Sequence, residues 1–442
     1  MILHWIVTVC FLLFFMHLLK RITWMPQDIS PKLVRTAFLA QVVAGICYGY
    51  YDLRSGTAGD SWNYITDAFW MYDAIHQHPV SYLQMLTGIH DNTKLIREEY
   101  YSYLITWKSN DFDYFFNDSR TIVRLHMILR IFTFGAYNAH VVVFTFLSFL
   151  GQVMLFNTLK KYLAVPHVLF FVLIFFLPSS LIWYSGVMKE PLIMLALGLL
   201  VSSIDRLASG NRANAASALL GGILLLLFIR FYLLLCLAPG IILFAWLTAR
   251  PGKALLKALA VAASLSVCLV TFDYLATNYK VSRILHDQLM NFVKKEKYFN
   301  PGANVEYMHV EPTVSDLFVH APEAFFKTCI APASRVFSNP YRPVFFFENL
   351  LFLALLFMAF AGFVKVPPPA VPMVAMSAAF ILSLYILIGL TTPFEGAIVR
   401  FRSPALPFMV FMILCVTGEK SRPMIRLFDI FRKYEHQPEE KH

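Results

Sequence analysis

Residues 176–191 read FLPSSLIWYSGVMKEP: two long apolar runs meet there, and the pair Lys189 and Glu190 lies inside otherwise hydrophobic sequence. A charge at membrane depth costs on the order of 3 kcal/mol or more unless it faces protein or water, which makes such an ionisable pair a candidate functional site. The surrounding chain supplies the membrane. It is 58% hydrophobic and only 14% charged, with a mean hydropathy of +0.61, which excludes a soluble globular protein. Its apolar runs are mostly about 17 to 22 residues long, enough for a helix to cross a hydrocarbon core of roughly 30 Å.

The expected fold is all-α and polytopic, with about eleven transmembrane helices near 2–19, 34–51, 137–159, 167–183, 187–204, 216–232, 235–249, 255–275, 345–363, 369–390 and 404–418. They form one membrane domain, residues 1–418, followed by a basic and polar tail, 419–442. The first run has no basic segment before it and is followed by Lys20 and Arg21, the reverse of a cleavable signal, so it reads as a retained helix. Cys10, Cys47, Cys236, Cys268 and Cys415 fall in or beside apolar spans and Cys329 stands in a loop, which indicates no disulfide framework. There is no CxxC or HExxH spacing, so neither a metal nor another cofactor is expected. The net charge of +10 reads as orientation and contact with anionic lipid rather than as nucleic-acid binding.

Lys and Arg in the short loops alternate with the spans: Lys20, Arg21, Lys32 and Arg35, then Lys160 and Lys161, Arg206 and Arg212, then Arg250, Lys253 and Lys257. The positive-inside rule puts these in the cytoplasm, the N-terminus outside and the C-terminus inside. Two large loops, about 52–136 and 276–344, and the junctions 184–190, 230–234 and 391–403 then share the outer face. Most of the unusual polar chemistry collects there.

The first outer loop carries GDSWNYITDAFWMYDAIHQHP, in which Asp60 or Ser61 caps a helix running to about Gln77, before Pro79. Trp62, Ile65, Phe69 and Tyr72 fall on one face and Asp60, Asn63, Tyr64 and Asp67 on the other, as in a helix lying in the interface with its aromatics toward lipid. Asp60 reads as an N-cap and, compatibly, as a general base on an acceptor hydroxyl; Asp67 reads as a solvated face or a second such base. The rest of the loop, with Arg97, Glu98, Glu99, Lys108, Asp111, Asp113, Asp118, Arg120 and Arg124 among Tyr and Phe, reads as an ordered cap.

Pro178 should interrupt the outgoing helix, and Gly186 with Pro191 shapes the start of the next. Residues 185–190 then form a helix N-terminus whose dipole, with Lys189, suits a phosphate or diphosphate. Glu190 neutralises Lys189, caps the helix or acts as a catalytic carboxylate. Arg230 ends a span on the outer side, where a cation either snorkels to headgroups or has a partner. Arg400 and Arg402, in TTPFEGAIVRFRSPALPF, stand two apart, the spacing at which an extended segment points both guanidinium forks the same way, toward phosphate oxygens or as interfacial anchors. The second loop is expected to hold a helix near 282–297, a turn at NPGAN and half-embedded helices around Pro322, with Lys294, Lys295 and Lys297 on headgroups and His309 and His320 unassigned.

The Asp of GDS in the first large outer loop, the PSSLIWYSGVMKEP block, the RFY at a helix end and the late VRFRSPALPF together resemble bacterial membrane glycosyltransferases of surface-polysaccharide assembly, of the GT-C-like and O-antigen-polymerase-like (Wzy-like) kinds. The resemblance implies transfer of a sugar or glycan from a polyprenyl phosphate or diphosphate carrier to a glycan or lipid-linked acceptor, at the outer, periplasmic face of a bacterial cytoplasmic (inner) membrane. In GT-C enzymes an acidic residue of the first outer loop is the catalytic base, which maps onto Asp60, with Asp67 after it. In polymerase-like relatives outer-face arginines hold the carrier phosphates, which maps onto Arg230, Arg400 and Arg402. The chain departs from the GT-C pattern in its extra N-out helix and in having no adjacent acidic pair. The expected roles are therefore Lys189, Arg230, Arg400 and Arg402 on the carrier phosphate, with Asp60, Glu190 or Asp67 activating the acceptor. A Wzy-like polymerase or ligase, a flippase of lipid-linked glycans and a non-catalytic assembly subunit are the rivals.

Overall fold

Pro178 divides the chain where the sequence says it should. In the computed structural model, which describes residues 2–54, 59–106, 118–277, 279–299, 307–333, 342–418 and 422–435, the expected span 167–183 is two short helices, α8 (His167–Phe175) and α9 (Pro178–Trp183). Leu177, held extended at φ −57° and ψ 142° by the following proline, separates them. The expected span 216–232 is α11 (Ala215–Ile229), only 15 residues long. Among the described residues nine helices are long and apolar enough to cross a membrane, not eleven: α1 (Ile2–Arg21), α2 (Pro31–Arg54), α7 (Tyr137–Leu159, extended to Tyr162), α10 (Glu190–Ala208), α12 (Phe231–Ala249), α13 (Ala254–Leu275), α16 (Arg342–Ala361), α17 (Val371–Thr391, preceded by a turn from Pro368) and α18 with α19 (Glu395–Arg402, Leu406–Cys415). The described chain is all helix, with two isolated bridges, and the protein is a polytopic helical membrane protein. Lys108, Asp111 and Asp113, the NPGAN turn and the last seven residues of the tail lie outside the described residues.

The fold separates into two compact units. The first comprises residues 1–158, 171–231 and 434–442. Its loop helices are α3 (Asp60–Gln77), α4 (Pro79–Thr87), α5 (Lys94–Glu99) and α6 (Asp118–Thr133). The end of α2, the start of α7 and the turn before α10 share one rim with α3. Gly49 lies so close to the Tyr137 ring that a Cβ there would collide with it, and Trp62 of α3 donates its indole N–H to the Gly49 carbonyl at 2.7 Å. Gly186, at φ +89°, packs on Gly45 of α2, a left-handed turn that favours glycine. The opposite rim holds Lys20, Arg21, Lys32, Arg35, Arg206 and Arg212, where Asn157 near the end of α7 bonds Trp24 O at 2.9 Å.

One polar contact near the middle of two apolar helices holds the first unit together. Gln41 of α2 and Gln152 of α7, both fully buried, exchange carboxamide hydrogen bonds of 2.8 and 3.1 Å. Gln41 Nε2 also reaches Phe175 O at 3.3 Å, a carbonyl that the break at Pro178 frees from its helix. An amide in hydrocarbon must find such a partner.

In the second unit, residues 159–170 and 232–433, α15 (Val314–Ile330) packs chiefly on α17. A Cβ on Gly389 would meet the Ala324 backbone, and Thr328 Oγ1 donates to Tyr385 O at 2.9 Å. The half-embedded helices expected around Pro322 are one continuous helix, buried along one side at Leu317, Ala324 and Thr328 and exposed at Phe318, Val319, Phe326 and Ile330, with Cys329 on its last turn rather than in a loop. The helix α14 (Val281–Phe299) matches the one expected near 282–297, and Lys294 and Lys297 are exposed on it. Gln41→Leu should cost about 1–3 kcal/mol by stranding Gln152 Oε1 and the Phe175 carbonyl, while Gln152 Nε2 keeps Ser148 Oγ at 3.3 Å, with part recovered in the Gln41→Leu/Gln152→Leu double variant; thermal unfolding in detergent measures both.

Candidate functional site

The residues at the rim of the first unit are positioned by α6. Arg124 donates to Met85 O at 2.9 Å and lies 3.5 Å from Asp91, whose other partner is the Tyr101 hydroxyl at 2.9 Å. Arg130 sits over the rings of Phe69 and Tyr72 of α3, 4.0 and 4.8 Å from their centres, and 3.3 Å from Asp73. Thr121 donates to Phe228 O, near the end of α11, at 3.1 Å. On the α7 side a buried chain runs inward: Thr133 gives its proton to Leu129 O, so it accepts from His140 Nε2 at 2.8 Å. His140 Nδ1 is then the acceptor for His126 Nδ1–H at 3.0 Å.

This scaffold delivers Ser119 to the central pair. Lys189, only 5% exposed, donates to Ser119 Oγ at 3.2 Å and lies 5.5 Å from the centre of the Tyr64 ring. Glu190, 1% exposed, is the first residue of α10, with Lys189 as its N-cap. Asp60 lies one turn before Tyr64 on the same face of α3, about 6 Å along the axis. Arg230 is half-buried at the end of α11, two residues beyond the carbonyl that Thr121 bonds. Lys189 thus meets Ser119 and Tyr64 of the loop helices, Glu190 adjoins it in sequence, Asp60 shares the Tyr64 face of α3, and Arg230 follows the helix end whose Phe228 carbonyl Thr121 bonds. Ser119 gave no signal beyond standing next to a charged residue at a helix start. Tyr64 was placed on the correct face without a role.

Four expectations need correction. The cap of α3 is Gly59, and Asp60 is its first helical residue, its carboxylate at the positive end of the helix dipole. The aromatic face of α3 is not turned to lipid: Trp62 stacks on Tyr137 at 4.1 Å and 6°, and Ile65 is in a core with Tyr137, Val141 and Val187, because α7 offers an apolar surface as deep as the bilayer's. Asp67 is fully buried, with its oxygens on Ile105 N–H at 2.9 Å, Thr106 N–H at 2.7 Å and the Thr106 hydroxyl. It ties the loop to α3 and is not placed to take a proton from an acceptor. The N-terminus of α10 is also poorer in donors than expected, since Pro191 has no N–H and those of Leu192 and Ile193 bond Lys189 O at 3.1 Å.

In the second unit Arg400 and Arg402 do not point the same way. The segment is helical, α18, which sets residues two apart about 200° around the axis. Arg400 is half-buried. Arg402 is 2% exposed and caps α15: Nη1 donates to Thr328 O at 2.8 Å and Cys329 O at 3.0 Å, and Nη2 to Asn349 Oδ1 at 2.6 Å. Asn349 in turn donates to Ile330 O and Ala331 O at 3.1 and 2.8 Å. A cation at a helix C-terminus with three hydrogen bonds is a structural clamp, not a free phosphate ligand. Among the described residues no three His, Cys, Asp or Glu side chains group as a metal site.

No protein-family model matches the chain, and no curated protein or solved structure is significantly similar to it.

Arg402→Met should destabilise the protein by about 3 kcal/mol or more and Arg402→Lys should recover little, because an ammonium cannot serve three acceptors in the fork geometry; denaturation midpoints test this. His126 gives a pH dependence. Burial first, then the adjacent His140, push it well below its ordinary 6.5. The unfolded chain takes up a proton as pH falls through 6.5 and the folded chain does not, so stability is greatest above that value and declines below it. Thermal midpoints should fall between pH 7.5 and 5.5, with a flatter profile for His126→Gln.

Proposed function

We propose that this chain is a lipid-carrier-dependent membrane glycosyltransferase acting at the outer face of a bacterial cytoplasmic membrane, in surface polysaccharide or glycoconjugate assembly. The observation that carries this reading is Lys189: a lysine nine-tenths buried at the start of a membrane helix, walled by a serine and a tyrosine from the first large loop. A burial so costly is expected where the charge has work to do. The acceptor hydroxyl attacks the anomeric carbon, the bond from that carbon to the phosphate oxygen breaks, and the carrier leaves as its phosphate or diphosphate. Lys189 and Arg230 hold the phosphate and stabilise its developing charge. Asp60 takes the acceptor's proton, with Glu190 as the second carboxylate. Arg400 stays a candidate for the carrier, while Arg402 and Asp67 are assigned to structure. A Wzy-like polymerase or ligase would use the same chemistry with a lipid-linked repeat unit as acceptor.

One observation favours a second reading, a flippase of lipid-linked glycans. A helix broken near its middle, with the buried Gln41 and Gln152 beside the break, is how many transporters build a path through the bilayer.

Purified protein in liposomes with a polyprenyl-diphosphate sugar separates the two. Turnover should fall about 10²-fold or more in Asp60→Asn, mainly in kcat, and in Lys189→Gln, mainly through KM for the carrier. Unchanged turnover in both folded variants sinks the glycosyl-transfer reading, and translocation without turnover favours the flippase.

A further inference from the structure

The face of α3 opposite Tyr64 borders a cavity. It has a volume of about 220 Å3 and is enclosed by the starts of α1 and α7, the end of α2 and α3, with His4, Trp5, Tyr50, Trp62, Tyr137 and Asn138 among its lining residues. That is less than the roughly 300–1,000 Å3 of sites for drug-sized molecules, so it admits one ring rather than a chain. Neither Lys, Arg, Asp nor Glu is among its described lining residues, which makes it unsuited to a phosphate. Four of its lining side chains are Tyr or Trp, two of them, Trp62 and Tyr137, stacked on each other. Trp62 and Tyr137 are coplanar within 6°, and the indole is anchored on Gly49 O, which makes this wall rigid. Trp5, 46% exposed, stands at the cavity with no such anchoring.

The cavity also holds an unmet polar need. Asn138 is 7% exposed, its Oδ1 is buried and accepts no hydrogen bond, and its Nδ2 reaches the Tyr50 hydroxyl only at 3.4 Å, near the limit for a bond. A buried carboxamide left in this state calls for an explanation, and a ligand supplying donors is one. An acyl chain brings none. A molecule that brings hydroxyls around its edge, an apolar C–H face for the aromatic wall and no charge is a pyranose.

We propose that this cavity binds a single saccharide ring, stacked on the aromatic side chains and hydrogen-bonded to the Asn138 carboxamide, which turns about its last torsion to meet it. The choice of a sugar rests in part on the glycosyl-transfer reading above, since α3 is the common wall between this cavity and the Lys189 site and would set the acceptor's terminal residue beside the reacting centre.

The test is ligand binding by full-length protein in phosphatidylcholine nanodiscs, prepared without glycoside detergents. The probes are the methyl glycosides of glucose, galactose, mannose and N-acetylglucosamine, with glycerol as control, read by saturation-transfer NMR. At least one glycoside should saturate, with its ring C–H protons receiving the strongest transfer. Asn138→Leu and Trp5→Ala should each weaken it about tenfold, the scale of one lost hydrogen bond or stacking contact. Asn138→Leu should also unfold at no lower a temperature than the parent, since an unmet polar group is replaced by an apolar one of similar size. Wild-type protein that melts cooperatively but saturates with none of the four overturns the proposal, as does undiminished binding in both variants. Sugar binding without turnover at the Lys189 site sinks glycosyl transfer alone; turnover without sugar binding in this cavity sinks this inference alone.

Discussion

A backbone carbonyl in an apolar interior must be given a donor, and the first unit is built around one such carbonyl. Pro178 stops α8 from continuing, which frees Phe175 O at a depth where no water can serve it. Gln41 supplies the donor, and Gln152 completes Gln41. That contact fixes α2 against α7 and lets the chain bend through α9. The bend brings residues 184–189 back to the rim on which α2 ends and α7 begins, with the Gly45 and Gly186 contact setting the distance. Lys189 stands at the rim because the helix before it is broken and the break is satisfied.

The second unit meets the same requirement at a helix end and uses a charge to do so. The last carbonyls of α15 fall to the buried Arg402 and to Asn349 of α16. The two solutions differ in what they leave for chemistry. Three hydrogen bonds at 2.6–3.0 Å and 2% exposure commit Arg402 to its own fold. Lys189, nearly as buried, has the Ser119 hydroxyl and the Tyr64 ring, from two loop helices, close to its ammonium.

Amphipathicity was a sound guide to α3 as an element and a poor one to its surroundings. The period placed the helix at 60–77, as observed, and sorted its two faces correctly. It could not say what each face meets, since the apolar side of a helix is served equally by lipid or by another helix. Here α7 took that side, and Trp62, Ile65 and Phe69 became protein interior and cavity wall. Asp67, on the polar side, met not water but the backbone of residues 105 and 106. The arginine pair failed for a related reason. Spacing defines a direction only once the secondary structure is known, and residues 395–402 are helical rather than extended.

Composition and hydropathy determined that the chain is a bundle of membrane helices, because a backbone in hydrocarbon has few ways to satisfy itself and each costs a readable run of apolar residues. Prolines and glycines likewise marked the break at 178 and the turn at 186. The sequence also located the buried Lys189 and Glu190, since charge is rare against that background. Only tertiary structure decided which polar groups are consumed by the fold. Whether a carboxylate or a guanidinium is free or clamped depends on partners tens of residues away, as with Asp67 and Thr106 or Arg402 and Thr328, and no local pattern records those meetings.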